Sequence, residues 1–152
     1  RGHGAICTVA LVLLGSDGDV RACSAGHPPP IVLTGGEATT WSTTGPVLGA
    51  FEDVSWQVVP RAFEAGEPLV LYTDGLFELP GPDGRFGEER LREALAGAAG
   101  PADAVERAHG ALARFADAGF PDDMAMVVLQ RTPEADDPQA ARLRSVAAPS
   151  PR

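Results

Sequence analysis

The chain has 152 residues, 44% of them hydrophobic, and a formal net charge of −9. That length is one domain's worth and buries a real core, while no apolar run of about 18 residues supports a membrane span and no charged-then-apolar leader opens the chain. All 12 cations are arginines, no basic patch gathers them, and the negative balance argues against nucleic acid, whose phosphates it would repel.

In chain order, Ile6–Leu14 is apolar and β-rich, Gly15–Asp19 turns, and Val20–Ser24 returns, which predicts a hairpin. Pro28–Leu33 suggests a strand whose triple proline confines its start to an edge or an entry. Gly35-Gly36 turns into a strand over Ala38–Trp41, and Gly45–Gly49 is a loop. Val54–Val59 alternates and predicts a half-exposed strand. Ala65–Glu67 turns into an apolar strand that ends at Asp74. Leu91, Ala94, Leu95 and Ala98 fall at helical spacing in a helix that starts near Gly87 and is ended by Gly100-Pro101. A second helix is expected over Ala102–Ala118, with Val105, Ala108, Leu112 and Phe115 as its apolar stripe. Met124–Leu129 is a continuous apolar strand. Residues 132–152 have no period and predict a disordered tail. Strands followed by helices make an α+β pattern.

Cys7 and Cys23 are expected as free, buried thiols in a reducing cytoplasm. Pairing outward from the turn sets Cys23 beside Val12. Cys7 is then about five residues away, roughly 16 Å along the strand, too far for a disulfide.

Two acidic sites stand at the ends of apolar runs: Leu69–Glu78, which contains Asp74-Gly75, and Pro121–Leu129, which opens on Asp122-Asp123. A carboxylate at the mouth of a buried strand is costly unless solvated, paired or metal-bound. Hard oxygen donors held on strand ends suit Mg²⁺ or Mn²⁺, and two adjacent like charges repel unless a cation intervenes. The bare reading is half of a carboxylate metal site. The plainer reading makes Asp74 a turn residue, since Asp-Gly is a common turn pair.

Tyr72-Thr73-Asp74-Gly75-Leu76 with Glu78, then Asp122-Asp123-Met124, and earlier Ala25-Gly26-His27-Pro28-Pro29-Pro30 occur together in one order. That set closely resembles the metal-dependent protein phosphatases of PPM (protein phosphatase 2C-like) type, in their SpoIIE-like bacterial branch, over about Cys7–Arg131. The resemblance implies a partial αββα sandwich, two antiparallel sheets with flanking helices, with residues 1–131 as the C-terminal part of a phosphatase domain. It implies Asp74 and Asp122 as catalytic metal ligands for Mn²⁺ or Mg²⁺ in a two-metal site. Phosphomonoester hydrolysis there uses metal-activated water. Gly75 lets the chain turn beside the metals, and Asp123 supports from behind. Glu78 either accepts a hydrogen bond from metal-bound water or faces solvent. His27 is a tempting general acid, yet its turn between strands makes a structural role the expected one.

The family's upstream Asp-x-x-Gly-x-Gly segment supplies a bridging aspartate. Arg1-Gly2-His3-Gly4 imitates only its end, and the match reads as accidental. The chain as given is therefore expected to hold an incomplete metal shell, to bind cations weakly, to hydrolyse slowly or not at all, and to associate. The implied substrate is a phosphorylated anti-anti-sigma-factor-type regulator, the implied location cytoplasmic, and an upstream sensor domain often accompanies the family. A rival reading is a non-catalytic binding or scaffold module derived from a truncated phosphatase domain.

Overall fold

The computed structural model describes residues 5–15, 18–82, 84–116 and 123–132. Asp122, Arg1–Gly4 and nearly all of the expected tail thus lie outside the described residues. The strands are β1 (Val9–Leu14), β2 (Asp19–Ala25), β3 (Ile31–Thr34), β4 (Glu37–Thr40), β5 (Val59–Ala62) and β6 (Pro68–Tyr72). A 3-10 turn follows at Asp74–Leu76, then the short hairpin β7 (Pro80–Gly81) and β8 (Gly84–Arg85), helices α1 (Gly87–Leu95) and α2 (Pro101–Phe115), and β9 (Met126–Gln130).

The antiparallel strands form one sheet in the order β1-β2-β5 and a second in the order β4-β3-β6-β9. Successive side chains on a strand point to opposite faces, and β3 and β6 use both. On one face Val32 and Leu69 meet Val20 and Ala22 of the first sheet, with Trp41 and Phe63 filling the sides. On the other, Ile31, Leu33, Val70 and Tyr72 meet Leu91 and Leu95 of α1 and Ala104, Ala108 and Leu112 of α2. Burial on both faces is why these strands are unbroken apolar runs, and each fully buried Leu, Ile or Val contributes roughly 1.5–3 kcal/mol. The described residues thus stack helices, sheet and sheet, an α+β arrangement with part of the αββα sandwich.

Helix termini follow their sequence. Glu88 and Glu89 occupy the first turn of α1, where the helix dipole favours anions. Pro101 opens α2, a position where its missing N–H costs nothing. Gly100-Pro101 therefore starts the second helix; the first has already ended at Leu95. Asp103 accepts hydrogen bonds from the Ala99 N–H at 2.8 Å and from Arg107 Nε at 2.9 Å. Those two donors hold its carboxyl below the usual carboxylate range.

Four local expectations are corrected. Residues 54–58 form no strand: the alternation is real, but Trp56 sends its Nε1–H to the Pro46 carbonyl at 2.7 Å instead of packing in a ladder. The β5 ladder begins only at Val59, with Val59–Ala62 opposite Asp19–Ala22. On α2, Ala104 is buried and Val105 is 44% exposed. In the first hairpin Cys23 faces Leu11, not Val12, because Gly15 N–H closes the turn on the Asp19 carbonyl. Both cysteines are free, but Cys7 is exposed and Cys23 half-buried. Cys7 lies four positions from the partner of Cys23, roughly 13 Å along the strand.

Candidate active site

Antiparallel pairing brings the two acidic segments together. β6 and β9 are neighbours with Tyr72 opposite Met126, so the residues that leave β6 meet those that enter β9. Ile31, the first residue of β3, pairs with Val70, which sets the Gly26–Pro30 turn at this same end of the sandwich. Asp74, Asp123 and His27 are therefore collected at one end by topology.

The contact between the acidic segments is specific. Thr73 N–H donates to the Ala125 carbonyl at 3.0 Å. The reciprocal rung of a regular ladder would run from Ala125 N–H to the Thr73 carbonyl. Here Ala125 N–H donates instead to Thr73 Oγ1 at 3.0 Å, and the Thr73 carbonyl accepts Leu76 N–H at 3.2 Å. That bond starts the 3-10 turn. The Asp74 carbonyl then accepts Phe77 N–H at 3.0 Å and Glu78 N–H at 2.9 Å, while the Asp74 side chain stays exposed. Gly75 is buried and does not have a positive φ. Its value is close approach: a Cβ there would lie 2.6 Å from the Asp123 carbonyl oxygen.

The remaining candidates take separate positions. Glu78 is exposed and accepts Arg85 Nη1 at 2.6 Å, which ties the β7–β8 hairpin to the turn after Asp74. His27 is half-buried, with Nδ1 3.4 Å from Thr8 Oγ1. Its carbonyl accepts the buried Ser24 hydroxyl at 2.7 Å, and Gly26 N–H donates to the Gly45 carbonyl at 2.8 Å. The Gly26-His27-Pro28 turn is thus pinned through its main chain. Asp123 is exposed at the mouth of β9. Sequence reasoning passed over Thr73 and Arg85. A threonine before Asp-Gly does not by itself show what its hydroxyl bonds to, and nothing local marked Arg85.

Carboxylate oxygens at the ends of two paired strands are donors of the kind a hard divalent cation takes. Among the described residues no three His, Cys, Asp or Glu side chains are gathered closely enough to hold a metal by themselves. A cavity of about 290 Å³ lined by Leu14, Val20, Phe63, Leu129 and Arg131 opens at the opposite end of the sandwich. Its walls are mostly apolar, and it is separate from the carboxylates.

A family model described as Stage II sporulation protein E (SpoIIE) matches residues 2–132. The chain belongs to the SpoIIE family. Protein IcfG of Synechocystis sp. is 30% identical over 99 residues, which are 61% of this chain and 16% of that protein. The phosphatase domain of the Bacillus subtilis cell fate determinant SpoIIE, presoaked with Mn, superposes with a TM-score of 0.68 at 17% identity, covering 86% of this chain and 59% of that one. The RsbU and RsbW domains of Rv1364c from Mycobacterium tuberculosis give 0.61 at 24% identity, covering 84% and 39%. The catalytic domain of the serine/threonine protein phosphatase PstP, in complex with two manganese ions, gives 0.59 at 20% identity, covering 84% and 60%. This SpoIIE-family chain therefore has the PP2C-type phosphatase fold and spans only part of the length of each relative. No helix among its described residues is long and apolar enough to cross a membrane.

Proposed function

We propose that the chain, over residues 1–131, is the C-terminal part of a metal-dependent serine/threonine protein phosphatase domain. Its Asp74 and Asp122 would hold Mn²⁺ or Mg²⁺, and the shell requires donors beyond these two. Gly75, Asp123, Glu78 and His27 support the site without coordinating. The substrate is a phosphorylated regulator of the anti-anti-sigma-factor type and the setting is cytoplasmic. The manganese in a PP2C-fold neighbour and the RsbU and RsbW domains of another support the metal and the substrate class.

The observation that carries this reading is the junction of β6 and β9, where Asp74 stands exposed on a backbone locked to the Asp123–Ala125 segment. A divalent cation bound there would supply charge neutralisation of the phosphoryl group and activation of water. The protein's own work is to hold the Asp74 carboxylate outward on a hydrogen-bonded turn. A positioned ligand loses little orientational freedom when the charge on phosphorus shifts.

The test is Mn²⁺-dependent hydrolysis of p-nitrophenyl phosphate and of a phosphoserine regulator, by the chain alone and within its full-length protein. The expected result is slow turnover by the chain alone and full activity in the longer protein. Asp74→Asn should lower the latter at least about 100-fold, equivalent to about 2.7 kcal/mol of lost transition-state stabilisation. Unchanged activity in Asp74→Asn would remove Asp74 from the site. Regulator binding without turnover in the full-length protein would favour the scaffold reading.

A further inference from the structure

The end of β6 is built in a way that a metal-ligand assignment does not require. A strand that simply finished at Thr73 would complete its last rung with two backbone hydrogen bonds to Ala125. Instead Thr73 Oγ1 substitutes for its own carbonyl as the acceptor for Ala125 N–H at 3.0 Å. The released carbonyl takes Leu76 N–H and so bends the chain into the turn that carries Asp74. One residue farther on, the Cα of Gly75 sits so close to the Asp123 carbonyl that a Cβ would be 2.6 Å from that oxygen. The neighbour in that contact is backbone, which cannot rotate away as a flexible side chain could.

We propose that Thr73 and Gly75 are paired positioning residues that fix where the Asp74 carboxylate stands against the Asp123–Ala125 backbone, and through it the cation affinity of the site. The Thr73 hydroxyl acts as a latch and the absent Gly75 side chain as a gap. This rests on the metal-site reading above. The two features divide the work. Without the hydroxyl, the exposed Ala125 N–H turns to water or takes the Thr73 carbonyl. The second choice extends the ladder by one rung and unwinds the start of the 3-10 turn, so Asp74 rotates with the strand. Without the gap, the Asp123 segment must retreat from Asp74 while the ladder behind it stays intact. Either change moves the Asp74 carboxylate relative to the Asp123 backbone, which matters to a small cation with narrow geometric tolerance.

The experiment is a Mn²⁺ titration of the full chain followed by paramagnetic broadening of assigned amide signals at Gly75 and Asp123, a readout that registers weak binding and needs no turnover. Amide hydrogen exchange at Ala125 in metal-free buffer accompanies it. Thr73→Val, nearly the same shape without the acceptor, is expected to raise the Mn²⁺ concentration for half-broadening at least 10-fold and to speed Ala125 exchange at least 10-fold. Thr73→Ser should restore both to within 2-fold of the parent, and Gly75→Ala should weaken Mn²⁺ binding while leaving Ala125 protected. Val128→Ala, which loosens β9 away from the latch, should lower the melting temperature and leave the Mn²⁺ response in place.

A Thr73→Val chain that binds Mn²⁺ like the parent, while Asp74→Asn does not, overturns the latch and leaves the metal reading standing. An Asp74→Asn chain that binds like the parent overturns the metal reading and the positioning role with it, and a parent that shows no site-specific broadening overturns the positioning role alone. Loss of binding in Val128→Ala equal to that in Thr73→Val reduces the latch to ordinary stability and also overturns it.

Discussion

Tyr72 is the last residue of β6 and the only tyrosine in the chain. It lies directly before the Thr73 latch, 2% exposed, with its ring edge-on to Phe77 at 6.2 Å. Its hydroxyl finds no hydrogen-bond partner among the described residues. Burial, reinforced by the nearby Glu88 carboxylate, pushes its pKa up to about 12. The unfolded chain should titrate near 10. A pKa raised by folding means that the neutral form is the one the fold favours. Its stabilising contribution is complete below pH ~10 and disappears between pH ~10 and ~12. Because no other tyrosine absorbs, ultraviolet phenolate titration should give a native midpoint about two units above that in urea. A native midpoint near 10 would mean that the strand end beneath Asp74 is open to water.

At the scale of elements, α1 and α2 are held by few large side chains. Leu91 and Leu95 are fully buried against β3 and β6, so Leu95→Ala should cost about 2–5 kcal/mol in urea denaturation. Val105→Ala on the outer side of α2 should stay within about 0.5 kcal/mol. Equal losses would restore Val105 to the packed stripe and contradict the observed burial. The helices were legible because Leu91, Leu95, Ala108 and Leu112 repeat at helical spacing. The stripe failed at one place because Val105 and Ala104 are adjacent, and hydrophobicity alone chooses the larger residue where the close-packed face wants the smaller.

The strands β3, β6 and β9 were legible as apolar runs, and Asp74 stood out as a charge at the end of one. Residues 54–58 misled because alternation of residue types does not say what the backbone bonds to, and Val58 on the apolar side of the pattern is exposed. The latch was beyond sequence reasoning for a related reason. Its partners Thr73 and Ala125 are 52 residues apart, and a threonine before Asp-Gly carries no mark of whether its hydroxyl replaces a carbonyl. Gly75 was read as a turn residue; only its contact with Asp123 shows that the missing side chain, not the dihedral angle, is what that position uses.

For the molecule as a whole, the two faces of the sandwich are unequal. The β4-β3-β6-β9 sheet is covered by the helices, whereas Val9, Leu11 and Leu13 are 39%, 55% and 57% exposed on the outer face of β1. Contiguous apolar surface of this kind drives association in water. The chain by itself should therefore bind the dye ANS in its native state and show concentration-dependent mass in sedimentation. Leu11→Gln combined with Leu13→Gln should reduce both by at least half, by analogy with the roughly 1.5–3 kcal/mol that each covered leucine is worth, with no loss of melting temperature. A parent chain that stays monomeric and dark would show this face to be harmless.

The partnership of β6 with β9 also sets an order of events. Between them the chain makes the β7–β8 hairpin and both helices, and the rung at Thr73 joins residues 52 apart. Closures over long separations come late, after their entropic cost is met by contacts already formed. While the chain is still emerging from the ribosome, β6 is an unprotected edge of the most apolar sheet, open to mispairing until β9 arrives. The β6–β9 junction forms only once β9 arrives, so a nascent chain carries Asp74 for some time before it carries the Asp123–Ala125 segment that pins it.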